Sequence, residues 1–369
     1  MLFGVFFAVL NYNRDMQFTI DEFRDVFNNE KFSLPIRWNG LNFVDELSEI
    51  YELYHSTISN IFLTSDSLRS LSADIKHVCN EILRSVKEYF NGRPSQAFSI
   101  FDDIFKLTLM ENQFSIYNTF YDPSILQNKN KTGRSKLFRV RKVNENRQFQ
   151  RKDIFHIPFS LRSKVGSDRY SIAGYPSLYL SSSLELCLEE MNYDFNPGRY
   201  ICSRFEMVNE SNVRIIELGI KPTDFFGKNE TSKRFTLINK SLLQDEEVLK
   251  NYYLWFPLIV ACSFMRVNKG DPFAAEYIVP QLLMQSIRNF KTNGVFMGIR
   301  YFSCASYYSS ELGFNYVLPT NYDENVCDFC PVLSKSFLLT KPFHLNEYKN
   351  PTICEMALRN ASTDYVYNS

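Results

Sequence analysis

The 369-residue chain lacks most of the short signatures by which enzymes are recognised from sequence. No GxGxxG follows a predicted strand and no GxxxxGK[ST] occurs, so neither a Rossmann dinucleotide turn nor a P-loop is supported. A GxSxG nucleophile elbow is also missing, which disfavours a Ser-His-Asp hydrolase. Only four histidines occur, and they lie far apart in the sequence. A histidine-rich metal centre is therefore disfavoured.

The chain has no excess of charge of either sign. Lys plus Arg and Asp plus Glu both number 41. A protein whose main task is to coat nucleic acid or an anionic membrane needs a basic field, so we expect neither partner. Any anionic ligand must instead be met by a few local arginines.

The cysteines form no recognisable framework. Eight are scattered along the chain, mostly in apolar runs, which is typical of a reducing cytoplasm. Cys327 and Cys330 form a lone CxxC without a second pair of ligands, so ordinary thiols are expected there and no metal site. The apolar first ten residues, "MLFGVFFAVL", are too short to span a bilayer, and a buried strand or helix is predicted for them.

What the chain does have is a large apolar content, 45% with 34 Phe and 22 Tyr, which is ample for a folded core. Residues 1–130 are predicted to form a helical N-terminal region. In "SDSLRSLSADIKHVCNEILRSVKEYFNGRP" apolar residues recur at every third or fourth position, which indicates one helix. Gly92 and Pro94 are placed to end it, and a second helix is predicted to follow.

The polar, basic segment "QNKNKTGRSK" (127–136) is predicted as a domain boundary. Beyond it, runs such as "LFRVRKV", "SLYLS", "RYICSRFEMV" and "VRIIEL" are typical of strands, and they alternate with helix-like segments. The fold class predicted for residues 137–342 is therefore α+β with a mixed sheet. Residues 343–369 are predicted to be a peripheral C-terminal tail.

One stretch of this second part, "RYSIAGYPSLYLSSSLELCLEEM", places Arg, Tyr, Ser and paired Glu within a single strand-turn-helix unit. With its flanks, "LFRVRKV", "FHIPF" and a late "MGIRYFS", it resembles the RES domain family, named for an arginine, a glutamate and a serine that its members share. The resemblance covers Phe138 to about Pro342. It implies an ADP-ribosyltransferase-like fold and the consumption of NAD as a substrate, with no cofactor and no metal. Many members of the family are bacterial toxins or defence effectors neutralised by an antitoxin.

Residue by residue, the resemblance assigns the catalytic roles to Glu190, Arg169 and Ser303. It assigns substrate binding to Arg139 and Tyr179, with Arg141 as a neighbour on the same strand face. His156 and Gln281 are second-tier binding candidates, and a structural role is at least as well supported for each. A regulatory protein or a homo-oligomer remains a possible partner.

These residue types suit the implied chemistry. A planar guanidinium binds phosphate oxygens in a bidentate way, which fits Arg139 and Arg169 to the pyrophosphate or to the nicotinamide-side ribose of NAD. A carboxylate stabilises the positive charge that develops when a glycosidic bond breaks. The spacing of eleven residues from Tyr179 selects Glu190, and Glu185 and Glu189 are expected to be solvated helix charges. Two alternatives stay open: transfer of ADP-ribose to a protein or nucleotide, and a catalytically inactive binding module.

Overall fold

The structure is a computed structural model, and it describes most of the chain. The described residues are 24–61, 66–110, 136–144, 147–193, 199–208, 213–226, 231–238, 243, 246–289, 296–322, 328–345 and 350–367. The predictions for the first ten residues, for the boundary segment 127–135 and for Cys327 fall outside these ranges.

Three long helices form the N-terminal region, as predicted. They are α1 (Phe43–Ile61), α2 (Asp66–Phe90) and α3 (Pro94–Met110). Between α2 and α3 the chain turns at Gly92, whose φ of 74° lies in the left-handed region that a side chain disfavours. Pro94 then opens α3, where its missing N–H costs no hydrogen bond. The predicted hairpin and its stop signals are confirmed.

One mixed sheet organises the rest of the described chain. Its central strand, β1, pairs antiparallel with β2 on one side and with β3 on the other. The order across the sheet is β4-β5-β6-β2-β1-β3-β7-β9, with β8 also pairing with β3, and only β4 and β5 run parallel. The strands are β1 (Lys136–Lys142), β2 (Ser177–Ser181), β3 (Tyr200–Met207), β4 (Val213–Leu218), β5 (Phe296–Tyr301), β6 (Asn315–Pro319), β7 (Phe337–Leu339), β8 (Phe343–His344) and β9 (Asp364–Tyr365).

Helices cover the sheet and join it to the N-terminal region. They are α4 (Arg151–Ile154), α5 (Leu184–Glu190), α6 (Glu246–Ala261), α7 (Ile278–Asn289), α8 (Pro331–Ser336) and α9 (Pro351–Asn360). Helix α2 packs on α6, and α3 packs on α7. The buried hydroxyls of Tyr51 and Tyr54 on α1 donate to the carbonyls of Pro257 (2.7 Å) and Tyr253 (2.8 Å) on α6. One apolar core therefore runs through both parts, and the predicted domain limits stay predictions.

The C-terminal residues lie at the edge of the sheet and support α5. From Phe343 onward they contribute β8, α9 and β9. The carboxylate of Glu355 on α9 accepts a hydrogen bond from the backbone N–H of Leu184 (2.9 Å), one of the N–H groups left without a partner in the first turn of α5. The segment predicted as a tail thus helps to fix the helix that carries Glu190.

The coarse fold prediction is confirmed: helices come first, and a mixed sheet flanked by helices follows. The four strand segments predicted beyond residue 137 form β1, β2, β3 and β4 within one residue of their predicted limits. In the part of the chain that the structure describes, no helix combines the length and the apolar character that crossing a bilayer requires.

Candidate active site

A cleft of about 500 Å³ opens between the sheet, the end of α5 and the loop that follows α6. This volume lies within the range of small-molecule sites in proteins. Four of the predicted site residues line it together, although up to 51 residues separate them in the sequence. These are Arg139 on β1, Arg169 on the loop before β2, Tyr179 on β2 and Glu190 at the end of α5.

Arg169 is held firmly by backbone carbonyls. Its guanidinium donates to the carbonyl of Cys262 (3.0 Å) and to that of Phe264 (2.7 Å), and the side chain is 9% exposed. Cys262 follows the last residue of α6, where helix carbonyls carry partial negative charge. The ring of Tyr277 lies 5.0 Å from the guanidinium carbon. The cation is fixed in place, and no carboxylate within the described chain forms an ion pair with it.

Arg139 lines the cleft and is anchored there by one hydrogen bond to the backbone. One of its terminal nitrogens donates to the carbonyl of Tyr179 across the β1–β2 pair (2.8 Å), while its buried Nε has no partner among the described residues. Burial, followed by the neighbouring Arg141, lowers the pKa of the Arg139 guanidinium to about 10. The group is still charged at neutral pH. A positive charge beside a cleft is suited to an anionic ligand.

Tyr179 is half-buried and anchored at its hydroxyl. The phenol oxygen lies 2.7 Å from Ser171 Oγ, and burial, followed by the nearby Asp168, raises the pKa of this phenol. The ring forms part of the cleft wall. Tyr179 therefore presents a neutral aromatic surface to whatever the cleft binds.

Glu190 is the glutamate of α5 that reaches the cleft. Its Oε1 accepts a hydrogen bond from Asn315 Nδ2 (2.6 Å). Glu185 lies on the other side of the helix, where it pairs with Lys233 and accepts from the hydroxyl of Tyr308 (2.9 Å). Glu189 is exposed and does not line the cleft. The spacing from Tyr179 thus picked the glutamate that lines the same cleft as the two arginines.

The other predicted site residues lie outside the cleft lining. Arg141 is exposed and donates to the carbonyl of Asp153. His156 is fully buried, and its Nε2 accepts from the N–H of Cys330 (2.8 Å), so Nδ1 carries the proton that goes to the carbonyl of Ile157 (2.8 Å). Burial lowers the pKa of His156 to about 4. Both contacts are those of a structural residue.

Ser303 and Gln281 stand one layer behind the cleft. Ser303 Oγ is buried, lies 2.9 Å from Ser309 Oγ and accepts from the N–H of Ala305 (3.2 Å), whereas the next two residues, Cys304 and Ala305, line the cleft. Gln281 Nε2 donates to Ser167 Oγ (2.8 Å) and to the carbonyl of Asp168 (3.1 Å), which holds the loop that leads to Arg169.

Sequence reasoning missed several polar residues of the cleft. Asn315 and Ser181 form a hydrogen-bonded pair beside Glu190, and Arg266 and Lys269 stand on the loop after α6. The signal for Ser181 is the serine cluster after "LYL". The signal for Asn315 is an amide at the start of the otherwise apolar strand "NYVLP". Neither signal is strong without the strand register that pairs the two.

The thiols at the cleft are not poised as nucleophiles. Burial raises the pKa of Cys187 to about 12 and also raises that of Cys304, so both remain protonated at neutral pH. Among the described residues, no group of three or more His, Cys, Asp or Glu side chains could hold a metal ion. The expected absence of a metal stays a prediction.

The chain is similar in sequence to a bacterial protein. The chain is 26% identical over 321 residues to "Putative toxin YopC" of Bacillus subtilis (strain 168). The aligned part covers 85% of this chain and 68% of the relative. No protein-family model matches the chain, and no solved structure matches it.

The cleft as a whole combines fixed cations, aromatic walls and one carboxylate. Arg139 and Arg169 are set among the rings of Tyr179, Tyr277 and Tyr301. Such a lining suits a ligand that carries both phosphate groups and flat rings. The carboxylate adds a group that can stabilise positive charge.

Proposed function

We propose that this chain is a RES-like enzyme with an ADP-ribosyltransferase-like catalytic part, which consumes NAD by breaking the bond between nicotinamide and ribose. The observation that carries the proposal is the single cleft shared by Arg139, Arg169, Tyr179 and Glu190. The family resemblance selected these residues from the sequence alone. A coincidental match would have no reason to gather them around one cleft.

In this proposal the two arginines bind the phosphates of NAD. Arg139 places a charged guanidinium on the wall of the cleft, and Arg169 adds a fixed positive charge. The ring of Tyr179 is available to stack on the nicotinamide, whose positive charge favours an aromatic face. The chain carries no net charge, so the attraction for the dinucleotide comes from this local cluster.

The reaction separates a positively charged ring from its sugar. The C–N bond between ribose and nicotinamide breaks, and its electron pair leaves with nicotinamide, which becomes neutral. Positive charge then develops on the ribose, where the carboxylate of Glu190 stabilises it. The oxygen of water or of inorganic phosphate forms the new bond to the anomeric carbon. A water nucleophile releases its second proton to solvent.

Depletion of NAD gives a route to toxicity. The relative in Bacillus subtilis is named a toxin, and its aligned region includes most of this chain. We therefore propose that this chain is a toxin or defence effector of the same kind. A protein that blocks the cleft would be its natural restraint, as an antitoxin does for related toxins.

The test of this function is nicotinamide release from NAD by the purified protein, followed by chromatography. We expect Glu190→Gln to lower kcat by about 100- to 1000-fold, because the variant removes one charge that stabilises the transition state. The matched control is Glu189→Gln, which removes an adjacent exposed charge outside the cleft and should leave kcat unchanged. Circular dichroism checks that both variants fold.

The same assay identifies the molecule that accepts ADP-ribose. NAD labelled in the adenosine part yields free ADP-ribose if water is the acceptor, and a phosphorylated ADP-ribose if inorganic phosphate is required. A labelled macromolecule would instead indicate transfer. Wild-type protein that releases no nicotinamide at millimolar NAD, or equal activity of both glutamate variants, would refute the proposed site.

A further inference from the structure

A short chain of hydrogen bonds leads from β2 to the carboxylate of Glu190. Ser181 Oγ donates to Asn315 Oδ1 (2.5 Å), and Asn315 Nδ2 donates to Glu190 Oε1 (2.6 Å). Ser181 and Asn315 are directly opposite each other in the β2–β6 register, so the sheet itself brings them together. Both are buried, with Asn315 only 3% exposed, whereas Glu190 projects from the end of a two-turn helix.

The direction of this chain is fixed by chemistry. An ionised carboxylate has no hydrogen to donate, so the group that faces Glu190 must be the NH₂ of the amide. The carbonyl oxygen of Asn315 then faces Ser181, whose hydroxyl can donate to it. The serine thus holds the amide in the one orientation that serves the carboxylate.

The donor that holds Glu190 is neutral. Arg139, Arg169, Arg266 and Lys269 all line the same cleft, yet within the described chain no ion pair shorter than 4.0 Å joins any of them to Glu190. A guanidinium in contact would fix the carboxylate too, but it would also cancel much of its charge. An amide fixes the group and leaves the charge in place. An unpaired carboxylate stabilises a cation that develops on a bound sugar more strongly than one paired with a guanidinium.

We infer that Asn315 is a positioning residue, oriented by Ser181, which holds the Glu190 carboxylate in one direction without neutralising it. The inference rests on the proposed function, since it supposes that Glu190 acts on the ribose of NAD. Asn315 is not itself a catalytic residue here. It acts through the carboxylate, and Ser181 acts through the amide.

Steady-state kinetics with NAD provide the first test. Asn315→Ala removes a hydrogen bond to a charged group, and we expect kcat to fall about 10- to 100-fold while KM changes less than about threefold. Ser181→Ala removes only a hydrogen bond between neutral groups, so kcat should fall about two- to tenfold. In the Asn315→Ala background the serine substitution should have no further effect on kcat, because its partner is already gone.

The dependence of kcat on pH in Asn315→Asp distinguishes a positioning role from a purely structural one. The introduced carboxyl group lies beside the Glu190 carboxylate, and the like charge makes it hold its proton to a higher pH than an isolated acid. While protonated it can donate an O–H to Glu190, as the amide does. We therefore expect kcat of this variant to rise toward the wild-type value as the pH falls from 8 to 5, relative to Asn315→Ala at each pH.

The possible outcomes distinguish failure of the positioning role from failure of the proposed function. Active wild-type protein with unchanged kcat in Asn315→Ala, or with no acid rescue in a folded Asn315→Asp, would overturn the positioning role and leave the proposed function intact. Wild-type protein that releases no nicotinamide would overturn both. Thermal unfolding of each variant at each assay pH shows that it is folded, and a variant that regains activity only by refolding would count against the inference.

Discussion

Two groups of charged residues in this molecule are partnered in opposite ways. In the buried ion-pair cluster (Lys221, Asp224, Arg234 and Glu311), Arg234 makes a two-pronged contact with Asp224 at 2.5 and 2.6 Å. Lys221 Nζ contacts Glu311 Oε1 at 2.6 Å. In the cleft, by contrast, the arginines are held by backbone carbonyls and the glutamate by an amide.

The difference shows which charges are available for a ligand. Within the ion-pair cluster, burial and the nearby Arg234 lower the pKa of Lys221 to about 8, and the Lys221 and Arg234 cations outweigh burial to lower the pKa of Glu311. These charges interact with one another. Carbonyls and amides orient a charged group and leave its net charge unopposed. In the proposed function, such groups leave the cleft ready for the charges of NAD.

Removal of one partner from the ion-pair cluster should have the largest effect on stability. Arg234→Ala leaves the Asp224 carboxylate buried without its cation, and both side chains are fully buried in the wild-type protein. We expect the free energy of unfolding to fall by about 3–5 kcal/mol, measured by urea denaturation. Nicotinamide release per folded molecule should change little, because Arg234 does not line the cleft.

The neighbouring lysine is the matched control for this variant. Lys233 pairs with Glu185 at the surface, where the two side chains are 62% and 38% exposed. Lys233→Ala should therefore lower the free energy of unfolding by no more than about 1 kcal/mol. Equal losses in the two variants would show that burial does not distinguish the ion-pair cluster from a surface pair.

His156 resembles the ion-pair cluster and differs from the cleft residues, because its buried ring is bound by other groups of the protein. Its pKa of about 4 lies below the ordinary value of 6.5, so the folded state favours the neutral ring. The stabilisation is present above pH 6.5 and is lost as the pH falls toward 4, because the unfolded chain binds the proton first. Over this window we expect His156 to account for a loss of roughly 3 kcal/mol.

The measurement is the free energy of unfolding from pH 7 to pH 4 in wild-type protein and His156→Gln. The glutamine can accept from Cys330 N–H and donate to the carbonyl of Ile157, as the histidine does, but it does not titrate. The curve of the variant should be flatter by as much as 1.4 kcal/mol per pH unit. Parallel curves would mean that the ring of His156 has the same pKa in the folded and the unfolded protein.

Local patterns predicted the elements of this fold well, and for physical reasons. Helix α2 follows from its apolar spacing and from Gly92, and β2 coincides with "SLYLS" between a Gly/Pro turn and a serine cap. The order of strands in the sheet could not be predicted. It depends on pairings such as β2 with β6, which join segments more than 130 residues apart. The packing of the N-terminal helices on α6 and α7 is equally non-local.

The site was predictable to the extent that residue type reveals chemistry. Arg139, Arg169, Tyr179 and Glu190 share the cleft, whereas Ser303 is buried behind it and Arg141 points to solvent. Period-two alternation put Arg141 on the same face of β1 as Arg139, but β1 extends beyond the cleft at that point. Asn315 was missed because its importance comes only from its neighbours across the sheet.

The smallest expected effect is also the sharpest test of what the cleft arginines do. Arg139→Lys keeps the positive charge but loses the planar guanidinium. The single ammonium group of the lysine cannot both donate to the carbonyl of Tyr179 and bind a phosphate in a bidentate way. We expect KM for NAD to rise about tenfold, roughly 1.4 kcal/mol, with kcat nearly unchanged. Arg141→Lys, two residues along the same strand and outside the cleft lining, is the control and should keep the wild-type KM. The same rise in both variants would mean that loss of either guanidinium of β1 raises KM, and the planar donors of Arg139 would have no special part in binding.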